Sequence, residues 1–184
     1  MLENNSSAEY ELIQHCQTGS LKYQELLYKQ YYGYAMGVGL RYCSSRDDAM
    51  EVVNDSFIKV FNTIKTYNLD RSFKAWMRRI IINTAIDRRR KDLKYQLHTD
   101  MEYANHIGHN HTAIQQLNVK DILKLMDDLP ALQRTIFNLY EIDGYNHDEI
   151  AEMLNIPSSS SRVYLSRAKE KLRKALTTEA QTHE

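Results

Sequence analysis

Asn146-His147-Asp148-Glu149-Ile150-Ala151-Glu152-Met153-Leu154-Asn155-Ile156-Pro157, followed by Ser158-Ser159-Ser160-Ser161-Arg162-Val163-Tyr164-Leu165-Ser166-Arg167-Ala168-Lys169, reads as a short helix, a tight break and a second, strongly basic helix. These are the parts of a helix-turn-helix reader of duplex DNA. Asn146 is placed to cap the first helix while Glu149 reaches back to it, a variant of the capping box. Ile150, Ala151 and Leu154 share one face, and Pro157 forbids simple continuation. In the second helix Leu165, Ala168, Leu172 and Leu176 recur at spacings of three and four and are expected to face inward. Arg162, Ser166, Lys169 and Arg173 form another stripe, directed away, where base edges and phosphates are met.

Moving outward, Val119, Ile122, Leu123, Met126 and Leu129 give one more helix. Pro130 then opens another, running through Ile136, Phe137 and Tyr140 to a stop at Asp143-Gly144. Residues 118–178 are thus expected to form a four-helix domain, with a frayed polar tail over 179–184. Residues 95–117 are polar and aperiodic and read as an interdomain linker. They hold His98, His106, His109 and His111, which raise a metal site. No Cys joins them, however, and no two stand at i and i+4 on an expected helix. No metal or other cofactor is expected.

Residues 1–94 read as a separate helical block. Leu21, Tyr23, Leu26, Leu27, Tyr31 and Tyr32 have helical spacing, and Gly33 to Gly39 reads as a looser, apolar stretch. After a break at Cys43-Ser44-Ser45-Arg46, a helix begins at Asp47, capped by Ser44 or Ser45. Its buried stripe is Val53, Phe57, Val60 and Ile64. Asp48, Glu51 and Asp55 lie opposite, with Asn54 beside them. Tyr67 to Ser72 reads as a loop, and Ser72 caps a helix over roughly Phe73–Lys91, apolar nearly all round from Ala75 to Ile82 and basic at its far end. The fold class is all-α: two small helical domains joined by a flexible linker.

The 184 residues suffice for one ordinary domain or two small ones, and 42% hydrophobic residues support modest packed cores. Cys16 and Cys43 lack CxxC spacing and read as reduced packing thiols. No stretch approaches a membrane span, and the acidic start lacks the form of an export signal, so a cytoplasmic protein is expected. Net charge is zero, but from Arg71 to Lys94 nine Lys or Arg face only Asp87 and Asp92, and from Ser158 to Leu176 six face Glu170 alone. The two windows carry +7 and +5, leaving −12 elsewhere. Two cationic patches on an acidic background imply two nucleic-acid contacts and a separate acidic docking surface. No Gly-rich phosphate loop, HExxH or nucleophile elbow is present, so neither enzymatic activity nor a small-molecule substrate is expected.

Two segments resemble one family. Asp48 through Phe61, Phe73-Lys74-Ala75-Trp76-Met77-Arg78-Arg79-Ile80 with Asn83-Thr84-Ala85-Ile86-Asp87, and Leu129-Pro130 through Leu172-Arg173 are similar, in order and spacing, to alternative sigma factors of bacterial RNA polymerase of the small extracytoplasmic-function type. The resemblance implies a sigma-2-like and a sigma-4-like domain. It assigns Asp48, Glu51, Val52, Asn54 and Asp55 to the clamp helices of the polymerase's largest subunit. It assigns the segment Tyr67–Lys91 to the melted minus-ten element, with Tyr67 stacking on a base, Asn68 and Asn83 meeting base edges, and Arg78, Arg79, Arg88, Arg89 and Arg90 on phosphates. Trp76 and Phe73 are read as core. Ser159, Ser160, Arg162, Arg167, Lys169 and Arg173 would take the minus-thirty-five element as duplex. An anti-sigma factor is a further implied partner. The chain departs from the family pattern in having Leu69 where the loop often has Gly, and Ser159-Ser160-Ser161 where Gly-Thr-Val is common; Val163 and Tyr164 are the expected apolar compensation for Ser161. Two alternatives are a helix-turn-helix regulator acting without core polymerase, which leaves the first block idle, and a metal-dependent enzyme using the linker histidines.

Overall fold

The computed structural model describes residues 3–97, 126 and 128–181, with side chains described over 8–90, 126 and 128–175. All regular structure among them is helical. The linker histidines, Val119, Ile122 and Leu123 lie outside the described residues. The chain divides into two compact units, 1–89 and 90–184.

The first unit holds α1 (Glu3–Gln17), α2 (Leu21–Tyr42), α3 (Arg46–Thr63) with a 3-10 turn at Ile64–Thr66, and the start of α4 (Phe73–Leu97). The stretch expected to be loose at Gly33–Gly39 is continuous helix. Each Gly costs about 1 kcal/mol of helix propensity, but Leu27, Tyr31, Ala35, Val38 and Tyr42 are buried along α2 at helical spacing and hold it. Gly39 packs against α3, where a Cβ would stand 3.4 Å from Ala49 O and from Val53 Cγ2. Ser45 caps α3, its Oγ accepting from Asp48 N at 3.0 Å. Val52, Val53, Phe57 and Val60 bury its inner face.

Gln17, at the end of α1, donates to Ile64 O at 2.9 Å and Tyr67 O at 3.0 Å, fixing the exit of the 3-10 turn. Beyond it the loop folds back onto an aromatic cluster. Tyr67 meets Phe73 at 5.5 Å and Trp76 at 4.8 Å between ring centroids, and Phe73 meets Tyr31 at 5.0 Å. Phe73 is buried and Trp76 half-buried, in keeping with a packing role. α4 starts at Phe73, after Ser72, and runs beyond the expected end at Lys91 to Leu97. Met77, Ile81, Ile82 and Ile86 are its buried face, while Ala75 is exposed.

The second unit contains α5 (Ala131–Phe137), a π-helical turn at Asn138–Ile142, α6 (His147–Leu154) and α7 (Ser158–Gln181). Pro130 immediately precedes α5 rather than occupying its first turn. α7 packs on both α5 and α6. Met126, Leu129, Ile136, Leu139, Ile150, Leu165 and Ala168 are its buried apolar residues.

Candidate docking and nucleic-acid interfaces

The helix-turn-helix is built by local devices the sequence carries. Asn146 Oδ1 accepts from Asp148 N and Glu149 N, both at 2.9 Å, and Glu149 Oε2 accepts from Asn146 N at 2.8 Å, a complete capping box. The break is made by Asn155, whose φ of 54° places it in the left-handed region, where Asn is among the better-tolerated side chains. Ser161 is fully buried, and its hydroxyl meets His147 Nδ1 at 2.9 Å. His147 in turn stacks on Tyr140 with centroids 4.5 Å apart. That partnership accounts for a hydroxyl in a usually apolar place: the polar group is buried with its hydrogen bond made. Val163, expected as compensation, is instead 47% exposed.

At about 100° per residue, Ser159, Val163, Ser166 and Glu170 run down the middle of the exposed face of α7, with Arg162 and Arg173 on one flank and Arg167 and Lys174 on the other. Ser159, Arg162, Arg167 and Arg173 are all exposed, and Ser160 is half-buried. Lys169 departs from expectation. Its Nζ lies 2.6 Å from Glu141 Oε1 and 5.9 Å from the centroid of Tyr140, so it faces the π-helical turn and its charge is already paired. Burial lowers the pKa of His147, and the charges of Arg162 and Lys169 reinforce the shift against the opposing pull of Asp148.

On α3, Glu51, Asn54 and Asp55 are exposed and Asp48 is half-buried. Val52 is 1% exposed and belongs to the core, not to the docking face, because its position on the helix turns it toward the interior beside Val53. The apolar surface beside the acids comes instead from Met50, 42% exposed, and Ile58, 59% exposed. Both fall on the outer stripe with Asn54 at spacings of four, a signal the sequence contained. Asn54 Oδ1 accepts from the Tyr28 hydroxyl at 3.1 Å.

On α4 the expected DNA residues separate into two sets. Arg79, Asn83 and Arg90 are exposed on one stripe. Arg88 lies on the other side, with guanidinium nitrogens 2.5 Å from Glu51 Oε2 and 3.4 Å from Asp48 Oδ1. A cation held by two carboxylates adds little to a phosphate-attracting field, so Arg88 serves here as a tie between α3 and α4. Arg78 donates from Nε to the Tyr34 hydroxyl at 3.0 Å, and Arg89 is half-buried. Asn68 is exposed, its Oδ1 accepting from Asp70 N at 2.9 Å, which closes the loop as an Asx turn. Tyr67 is 8% exposed, and its hydroxyl donates to Arg71 O. In this conformation the ring is inside the aromatic cluster and unavailable to stack on a base. Leu69 is half-buried, so the position that often carries Gly contributes to packing here.

Residues 27–94 match the sequence model of Sigma-70 region 2, and residues 120–172 that of Sigma-70, region 4. The ECF RNA polymerase sigma factor SigW of Bacillus subtilis is 30% identical over 142 residues, covering 70% of this chain and 75% of that protein. The ECF RNA polymerase sigma-E factor of Haemophilus influenzae is 28% identical over 171 residues, 86% of this chain and 90% of that protein. Among solved structures, the sigma factor RpoE of Bartonella quintana, in complex with the anti-sigma factor NepR, has a TM-score of 0.53 at 19% identity, covering 83% of this chain and 96% of that one. CnrH, in complex with the cytosolic domain of CnrY, has a TM-score of 0.51 at 20% identity, covering 94% of this chain and 99% of that one.

Proposed function

From the premise that this chain belongs to the sigma-70 family, as an alternative sigma factor of the extracytoplasmic-function type, we propose how its surfaces divide the work of directing RNA polymerase to promoters. The carrying observation is that region 2 and region 4 follow one another on a single chain, over residues 27–94 and 120–172. The regulator that acts without core polymerase explains only the second of these and is not favoured.

The exposed outer stripe of α3 docks on the clamp helices of the polymerase's largest subunit. Glu51 and Asp55 supply charge and Met50 and Ile58 supply apolar contact, a mixed surface suited to helix-on-helix docking. On α4, Arg79 and Arg90 hold the backbone of the melted minus-ten strand while Asn83, with Asn68 from the loop, reads base edges. In the second domain, which takes the minus-thirty-five element as duplex, the N-terminal half of α7 enters the major groove. There Arg162 and Arg167 reach guanines or phosphates, Arg173 holds the backbone, and Ser159 and Ser160 bond phosphate at the helix start. The domains fall at 1–94 and 118–178, with the linker between. The factor performs no chemistry itself and works in the cytoplasm, where the polymerase is. No helix among the described residues is long and apolar enough to cross a membrane. An anti-sigma factor, as NepR is for RpoE of Bartonella quintana, holds it inactive.

The test is co-elution with bacterial core polymerase on gel filtration. The wild-type chain should co-elute, and Glu51→Arg with Asp55→Arg should weaken binding at least tenfold, since two attractive contacts become repulsive. Undiminished binding by the double variant would move the docking face elsewhere; no binding by the wild type would remove the sigma assignment.

A further inference from the structure

Resting on the reading of α7 as the helix that enters the duplex, we infer that Val163 sets a specificity of the upstream element by contacting the C5-methyl group of a thymine. Three observations carry this. First, Val163 is 47% exposed, although the helix has buried positions for apolar side chains at Leu165 and Ala168. A β-branched residue on an exposed helix face forgoes up to about 0.7 kcal/mol of helix propensity relative to Ala, with only partial burial within the fold to offset it.

Second, its position is central. With Ser159 and Ser166 it occupies the mid-line of the exposed face, while Arg162 and Arg167 stand on the two flanks. A helix seated in the major groove points its mid-line at base edges and its flanks at the two phosphate ridges. The N-terminal part of the mid-line, Ser159 to Ser166, carries no charge before Glu170 and is therefore the part that reads sequence. Third, the major groove offers an apolar group at one base alone, the thymine methyl, and small aliphatic side chains are its partners. Ser161, two residues earlier and about 160° away around the helix, is fully buried and bonded to His147, which holds the opposite face of α7, with Val163, outward.

The experiment uses the full chain with bacterial core polymerase. Promoters are first selected from a library randomised across the upstream element. Each thymine of the best promoter is then replaced singly by deoxyuridine, which removes the methyl and leaves pairing intact. Initiation by the wild-type chain should fall roughly three- to fivefold at one position, the worth of one buried methyl. In Val163→Ser the same replacement should change initiation by less than about twofold, whereas Val163→Thr, which keeps a methyl at the same place, should retain the sensitivity. Selection with Val163→Ser should lose its preference for thymine there. Promoter-dependent initiation with no deoxyuridine-sensitive position, or a sensitivity that persists in Val163→Ser, overturns the inference and leaves the sigma reading intact. Absence of any promoter-dependent initiation overturns both.

Discussion

Replacing Tyr67 by alanine separates a base-stacking residue from a structural one. The ring is 8% exposed, lies against Phe73 and Trp76, and its hydroxyl is bonded to Arg71 O. A buried aromatic ring removes on the order of 150 Å² from water, worth about 4 kcal/mol at roughly 25 cal/mol per Å², in line with the range for large aromatic truncations. The unit of residues 1–89 has a stability on the order of 5–13 kcal/mol, so the change removes a third or more of it. Trp76, the single tryptophan, adjoins the site and reports unfolding by fluorescence. Tyr67→Ala should lower the urea midpoint of that signal by about 2 M at a typical slope. Tyr67→Phe, which loses only the hydroxyl, should cost about 1 kcal/mol. A midpoint unchanged in Tyr67→Ala, accompanied by lost promoter opening, would show that the ring is outside the cluster and that the packing argument fails.

Three further outcomes are expected. His147 is held below its ordinary pKa of 6.5, chiefly by burial. The unfolded chain therefore takes up that proton before the folded one, and stability is full above about 6.5 and falls as pH drops through and below it. Protection factors of the amides in α6 and α7, the exchange rates normalised to the intrinsic rate at each pH, should fall as pH drops from 7.5 to 5.5 in the wild type, and less so in His147→Gln. Arg88→Ala breaks an ion pair whose Glu51 side chain is 60% exposed, so denaturant unfolding should show a loss below about 1 kcal/mol. The Cys16 thiol, pushed up to about 11 by burial, should resist alkylation at pH 8 until the domain is unfolded, while the less buried Cys43 reacts first.

Much of this molecule is legible in its sequence because its helix boundaries are written in local chemistry. Ser45 before two acids and Asn146 three residues before Glu149 announce helix starts, and both caps form as read. What the sequence hides is phase and partnership. Val52 and Glu51 are neighbours, and a step of one residue around the helix carries a side chain from docking face to core. Tyr67 lies in a loop with no period to orient it, so its burial depends on Phe73 and Trp76 arriving from α4. Arg88 and Lys169 look like free cations in a charge count, yet each finds a carboxylate on another segment. The glycines of α2 suggest a looser stretch, but burial of Tyr31, Ala35 and Val38 outweighs their propensity. Val163 is legible as an apolar residue and not as an exposed one, since its exposure depends on which way Ser161 turns.

In the proposed division of surfaces, α3 couples this chain to RNA polymerase so that α4 and α7 can select a promoter. Run-off transcription with bacterial core polymerase tests it most directly, comparing the wild type with Glu51→Arg combined with Asp55→Arg. Promoter-dependent transcripts are expected from the wild type and their loss in the variant, with binding of α7 to duplex DNA retained. Duplex binding without any transcript from the wild type, or transcripts undiminished in the variant, would contradict it.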